Sequence, residues 1–193
     1  MRSISLAVDV TNYVMLDLGQ PMHAYDLDKI EGPIVVRRAA EGEKLTTLDG
    51  KEHDLSVEDL LITDSPDGKR GSRILGIAGV MGGLYGEVTA DTKNILLEAA
   101  HFDSVSIARS ARRHKIPSEA SRRFERGVDT QLQPAAAQMA AELLTKFGNG
   151  EPSGHPTDVN TTMYRRPIPF KATEGARVAG LDVDVNRISD IPV

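Results

Sequence analysis

Apolar positions come in short runs over the first 130 residues, and one long helical stripe follows. Val8 to Asp28, VDVTNYVMLDLGQPMHAYDLD, has a strand-like start in which Val8, Val10, Tyr13, Val14 and Leu16 can bury apolar area. Gly19 and Pro21 predict a chain reversal that returns His23 towards Thr11, so that Thr11, Asn12, His23 and Asp26 can point into one cavity. Pro33 to Arg38 (PIVVRR) reads as a strand, and KLTTLDGKEHDL as two strands folded at Asp49-Gly50. Leu60 to Asp64 and Arg73 to Ala78 flank the turn-rich SPDGKRGS, which predicts a second hairpin. Asn94 to Phe102, NILLEAAHF, reads as a buried strand.

Helical signals dominate the second half. Pro117 stops a helix-like run, Ser118 is a plausible N-cap, and Glu119 suits the positive end of a short helix that Gly127 would terminate. Ala120, Phe124 and Val128 share one face of it by four-residue spacing, and Arg122 and Arg126 share another. From Thr130 to Phe147 the stripe Leu132, Ala136, Met139, Leu143 and Phe147 predicts a long helix stopping at Gly148. It begins with either a Thr130/Gln133 capping box or Pro134 in the first helical position. NGEPSGHPTDVN is a linker by composition, followed by a strand, a short helix from about Thr173 and the start of another helix. Because strands and long helices do not alternate, the expected fold is α+β, with layered mixed sheets and flanking helices, divided into residues 1–150 and 151–193.

Composition narrows the function classes. At 193 residues and 40% hydrophobic content there is material for a sizeable core. There is no run of about 18 apolar residues, and MRSISLAVDV lacks the apolar segment of a secretory signal, so a cytoplasmic protein without membrane contact is expected. Zero cysteines exclude disulfides, thiolate nucleophiles and cysteine-ligated zinc. His23, His53, His101, His114 and His155 are scattered without metal-site spacing, so no catalytic metal is expected. A net charge of -5 argues against a wholly basic nucleic-acid binder, not against a local basic patch.

Three stretches carry candidate chemistry. GIAGVMGGLYGE places glycines at 76, 79, 82, 83 and 86, a density that admits close approach of backbone to a ligand or to another backbone; it fits neither common nucleotide-phosphate pattern. Glu98 sits among Ile95, Leu96, Leu97, Ala99 and Ala100. An unpaired charge there costs several kcal/mol, roughly, so the carboxylate needs an arginine, backbone donors, a proton or a polar cavity. Between Arg109 and Arg126 lie seven Lys/Arg (109, 112, 113, 115, 122, 123, 126) against two acids (119, 125), and 7 - 2 leaves +5 in an otherwise acidic chain. That segment is either a solvated face or a polyanion site.

VDVTNYV, GQPMHAYD, TLDG, IAGVMGG, ILLEAAHFD and SEASRRFERGVD, in this order from about Val8 to Asp129, resemble the editing domain of the bacterial phenylalanyl-tRNA synthetase β subunit. The tail from about Tyr164 is similar to the start of the module that follows in that subunit, cut short. Ser118 stands where threonine is common in the family, Tyr25 where phenylalanine is, and Gly86 where serine is frequent. Ser118 keeps the hydroxyl.

The resemblance implies hydrolysis of tyrosine mischarged on the tRNA for phenylalanine, with the synthetase α subunit as partner. Glu98 would accept the tyrosine phenol proton, with Ala78, Gly79, Gly82 and Gly83 shaping the ring pocket. Thr11 and His23 would lie near the ester and terminal adenosine, with Ser118 and Ala120 on the rim. His23, Thr11 and Ser118 are thus the catalytic candidates, acting on a positioned water. Arg109, Arg112, Arg113 and Arg122 are the tRNA-binding candidates. ATP and magnesium are implied for the full synthetase and no cofactor for this segment. A binding module without hydrolysis and a free-standing small-molecule enzyme are the competing functions.

Overall fold

The computed structural model describes residues 3–154, 156–161, 169–171, 173–181, 184 and 186–187. Two compact units divide at 156/157, Met1–Pro156 and Thr157–Val193. The first opens with helix α1 (Leu6–Leu18), where the sequence pattern reads as a strand. Val8, Val10 and Val14 favour extended structure only weakly. A helical arrangement instead buries Ala7, Val10, Thr11, Val14 and Met15 together, at the three- and four-residue spacing of one helix face. Ser5 caps the start by accepting from the Val8 amide, and Gly19, at φ +77°, ends the helix in the left-handed conformation. Tyr13 and Leu16 fall on the outer face and stay 53% and 59% exposed, contrary to the apolar burial expected of them.

After α1 the chain reverses through Gln20-Pro21 into β1 (Met22–Asp26). Gln20 is fully buried and satisfied: its amide donates to the carbonyls of Pro21 and Ala100 and accepts from Gln133 Nε2. β1 pairs antiparallel with β8 (Ile95–Ala99). Between them, β2 (Val35–Arg38), β5 (Leu60–Asp64), β6 (Arg73–Ile77) and β7 (Met81–Gly82) form a four-stranded antiparallel sheet in the order β2-β5-β6-β7. β3 (Lys44–Thr46) and β4 (Glu52–Asp54) form the expected hairpin around Asp49-Gly50. The hairpin expected around SPDGKRGS is the β5-β6 pair.

Three helices complete this unit: α2 (Ser104–His114), α3 (Glu119–Phe124) and α4 (Gln133–Gly148). Ser118 caps α3 as expected, in a reciprocal box with Ser121. α4 has no side-chain cap; Thr130 plays no such part, and Pro134 lies in the first turn. Its stripe is shorter than the sequence implies, since Phe147 is 63% exposed and the packed positions are Ala136 and Ala140, with Met139, Leu143 and Leu144 beside them. The β1-β8 ribbon is packed on both sides. Met22 and Leu97 join the α1-α4 cluster, while Tyr25 and Leu96 join the main core of the four-stranded sheet, α2 and α3.

In the second unit, α5 (Glu174–Ala179) follows Thr173 as expected. The strand expected before it and the helix after it fall largely outside the described residues.

Candidate functional site

Side chains alternate across a strand, so His23 and Tyr25 share one face of β1 and Met22 and Ala24 the other. In the β1-β8 register His23 stands opposite Glu98 and Tyr25 opposite Leu96. Directly opposed residues of an antiparallel pair point to the same side. His23, Tyr25 and Glu98 therefore meet on the face turned towards the main core. The Tyr25 phenol donates to Glu98 Oε2 at 2.7 Å, and the His23 and Tyr25 rings meet edge-to-face with centroids 4.5 Å apart.

Burial dominates the electrostatics. It pulls the His23 imidazole down from 6.5 to about 4, so the ring is neutral at physiological pH. It also pushes the Glu98 carboxyl up, against the opposing hydrogen bond from Tyr25. The Tyr25 phenol is raised well above 10 by burial, by the neighbouring Glu98 charge and by the bond it donates. Glu98 keeps part of its surface open even though protein surrounds it densely. Its second oxygen, Oε1, has no hydrogen-bond donor among the described residues and is not sealed from solvent.

These three side chains line a cavity of about 70 Å³ together with Met22, the segment Gly76 to Gly82, Ala120 and Phe124. The opposite wall is β6, a tight turn and β7. Gly79 occupies that turn at φ +65°, where a Cβ would lie 3.0 Å from the Phe102 and Phe124 rings. At Gly82 a Cβ would lie 2.7 Å from His23 Cε1 and 2.8 Å from Nε2. This glycine is what lets the wall approach the imidazole. Ser118 Oγ, the α3 cap, donates to the Val80 carbonyl at 2.7 Å and ties the helix start to the same turn. The glycines run from strand to strand and open no helix, unlike the glycine-rich loops that precede a helix N-terminus. Among the described residues, no cluster of three or more His, Asp or Glu could hold a metal ion.

The candidates named from sequence separate into groups. His23, Ala78, Gly79, Gly82, Glu98 and Ala120 line the cavity. Thr11, Gly83 and Ser118 are not among its lining residues. Thr11 is buried in α1 and its hydroxyl donates to the Val8 carbonyl, while Gly83 packs against Leu45 and the Leu75 carbonyl. Asp26 points elsewhere, accepting from Thr92 Oγ1 and the Asp28 amide. Tyr25 is the main residue that sequence reasoning left out of the site. The two-residue spacing in Met-His-Ala-Tyr was the available signal, but it has meaning only once the segment is known to be a strand.

The basic segment divides as well. Arg113 pairs with the fully buried Asp59 and with Glu58. Burial alone would raise the Asp59 carboxyl, but hydrogen bonds from Ser110, the Ser56 amide and His114 outweigh it and hold the group below its usual range. Arg113 thus belongs to a structural network. Arg109 is exposed and 3.9 Å from Glu58, and Arg122 pairs with Glu119 at the surface. Arg112, Lys115 and Arg122 line a surface groove of about 340 Å³ between α2 and α3.

Residues 1–149 match the B3/4 domain family. The chain is 87% identical over 191 residues to the phenylalanine–tRNA ligase beta subunit of Bifidobacterium longum, covering 99% of this chain and 22% of that protein. It is 53% identical over 185 residues to the corresponding subunit of Streptomyces avermitilis, covering 94% and 22%. The chain thus spans about a fifth of the length of these curated relatives. A weaker likeness, with TM-score 0.41 and 19% identity over 55% of this chain and 39% of the other, is to an N-terminal fragment of the phenylalanyl-tRNA synthetase beta-subunit from Pyrococcus horikoshii, and it carries no fold argument. On the match over residues 1–149 the chain belongs to the B3/4 domain family.

Proposed function

We propose that this chain is an editing module that hydrolyses tyrosine mischarged on the tRNA for phenylalanine. The observation that carries this reading is the cross-strand pair of His23 and Glu98 on one wall of an apolar cavity, with one carboxylate oxygen left without a donor. A tyrosyl side chain entering the cavity donates its phenol proton to Glu98 Oε1. Such a charge-assisted bond contributes roughly 1.5 to 3 kcal/mol. Phenylalanine has nothing to donate and leaves the carboxylate desolvated, so the correct product is rejected. A hydrophobic synthetic pocket discriminates poorly against a near-isostere that merely adds a hydroxyl, which is why a second, hydrolytic site is useful.

Hydrolysis requires a water to attack the ester carbonyl carbon, after which the carbon–oxygen bond to the ribose breaks and that oxygen leaves as a hydroxyl. His23 is neutral and can accept a hydrogen bond from this water. With its basicity lowered to about 4 it orients the nucleophile rather than holding a full proton, and the substrate's neighbouring ribose hydroxyl relays the proton to the leaving oxygen. The Thr11 and Ser118 hydroxyls, bonded to the Val8 and Val80 carbonyls, act by shaping the backbone around the site. The tRNA backbone meets the groove of Arg112, Lys115 and Arg122, and also the exposed Arg109. In the complete cytoplasmic enzyme the α subunit is the partner, and ATP and magnesium serve aminoacylation outside this chain.

A binding module without hydrolysis is the second reading, and cavity size favours it. A cavity of about 150 Å³ holds a benzene ring, and this one measures about 70 Å³, so a ligand ring enters only if the wall widens. Deacylation of tyrosyl- and phenylalanyl-tRNA by this chain decides between them. Faster loss of the tyrosyl ester is expected. Tight tRNA binding with no ester loss would establish the second reading.

A further inference from the structure

The Tyr25 phenol lies 2.7 Å from Glu98 Oε2, within the range of a strong O–H to carboxylate bond. Its ring is 3% exposed and wedged edge-on against His23. No Lys, Arg or Asp lines the cavity, so His23 and Tyr25 are the titratable groups that face the carboxylate there. Glu98 is therefore divided into one oxygen anchored by a rigid donor and one, Oε1, left without a described donor.

We propose that Tyr25 is a specificity-determining positioning residue: it anchors Oε2 of Glu98 and leaves Oε1 as the acceptor for the phenol of an incoming substrate. This inference rests on the editing function proposed above and adds to it the residue that holds the discriminating group. The terminal torsion of a glutamate is broad and nearly two-fold, so an unanchored carboxylate presents either oxygen in a range of orientations. Anchoring removes that freedom before the ligand arrives. It also favours the charged form. A carboxylate surrounded by protein takes up a proton readily unless a hydrogen bond stabilises its ionised form, and the Tyr25 bond opposes the upward push of burial. An anchored, charged Glu98 rewards a phenol donor and rejects a phenyl ring. One held less firmly discriminates less.

The test uses this chain as wild type, Tyr25→Phe, Glu98→Gln and the double variant. Hydrolysis of tyrosyl- and phenylalanyl-tRNA is followed between about pH 5 and about pH 9, above the range in which the folded His23 titrates. Phenylalanine keeps the ring and its packing and deletes only the hydroxyl. At neutral pH the tyrosyl preference is expected to fall about three- to tenfold in Tyr25→Phe, the worth of one modest hydrogen bond. The acid limb on which the preference disappears should move to higher pH. Carbon NMR of the Glu98 carboxyl should show the same upward movement without any substrate. In the Glu98→Gln background, removing the Tyr25 hydroxyl should change the preference by less than about twofold, as expected for a residue acting through its partner. An unchanged or increased preference with an unmoved acid limb overturns the role of Tyr25. If wild type prefers the tyrosyl ester and Glu98→Gln abolishes that preference while Tyr25→Phe leaves it unchanged, only this inference fails. If wild type hydrolyses neither ester or both alike, the editing function fails and this inference with it.

Discussion

Gly82→Ala probes the closest approach in the site. The added methyl would sit 2.7 Å from His23 Cε1, 2.8 Å from Nε2 and 3.3 Å from Leu48 Cδ1. Gly82 has no left-handed backbone to strain, so the effect is steric. Ordinary contact begins at 3.4 Å, and 3.4 - 2.7 leaves 0.7 Å that the imidazole or β7 must yield. Overpacking of this kind costs about 1 to 3 kcal/mol, which in a unit of this size lowers Tm by about 2 to 12 °C. Catalysis should suffer more than stability. A displacement approaching 1 Å at a water-positioning group can cost about 100-fold, so a 10- to 100-fold slower deacylation of tyrosyl-tRNA is expected, roughly. Gly83→Ala is the control. Its methyl would meet Leu45 Cδ1 at 2.7 Å and the Leu75 carbonyl at 3.0 Å, with no contact to His23, so it should lower Tm comparably while the rate per folded molecule holds. Equal rates for the two variants, measured by ester loss and normalised by thermal unfolding, would refute His23 as the group positioned by this wall.

Glu98→Gln removes the charge and keeps the size, so the tyrosyl preference should drop by roughly 10- to 100-fold in the same deacylation assay with little change in Tm. A large Tm loss with unchanged preference would return Glu98 to a purely structural role. The His23 imidazole stays neutral in the fold down to about 4 but takes up a proton near 6.5 when unfolded, so its contribution to stability is whole above 6.5 and is lost as pH falls towards 4. That difference corresponds to about 3 kcal/mol; denaturant unfolding at several pH values should show His23→Gln missing this acid loss, with Glu98's own contribution common to both proteins. Arg113→Ala removes a partner of buried Asp59, which keeps its other three bonds, so stability should fall by roughly 2 to 3 kcal/mol with tRNA affinity nearly unchanged. Arg112→Ala should leave Tm within about 1 °C but weaken tRNA binding and flatten its salt dependence. A salt titration that fails to separate the two arginines would count against the groove as a phosphate contact.

The sequence alone determined most of the local architecture, because the signals involved are local. Asp49-Gly50, SPDGKRGS and the Ser118 cap act within a few residues, so two hairpins and the start of α3 were legible without any partner. The valine-rich opening was not. β-branched residues read as strand, and the chain becomes helical because one face of α1 is covered by α4 from more than 100 residues away. The same limit applies to the site. His23, Glu98 and the glycine segment could each be singled out by residue type, but their alignment comes from a register between positions 75 apart in sequence, 98 - 23, that no short pattern encodes. Tyr25 became part of the site only through the 2.7 Å bond that this register permits. The basic run shows the converse. By charge count its arginines are equivalent, and only the tertiary fold, by burying Asp59 beneath Arg113 and leaving Arg112 at the surface, separates a structural cation from one available to a phosphate.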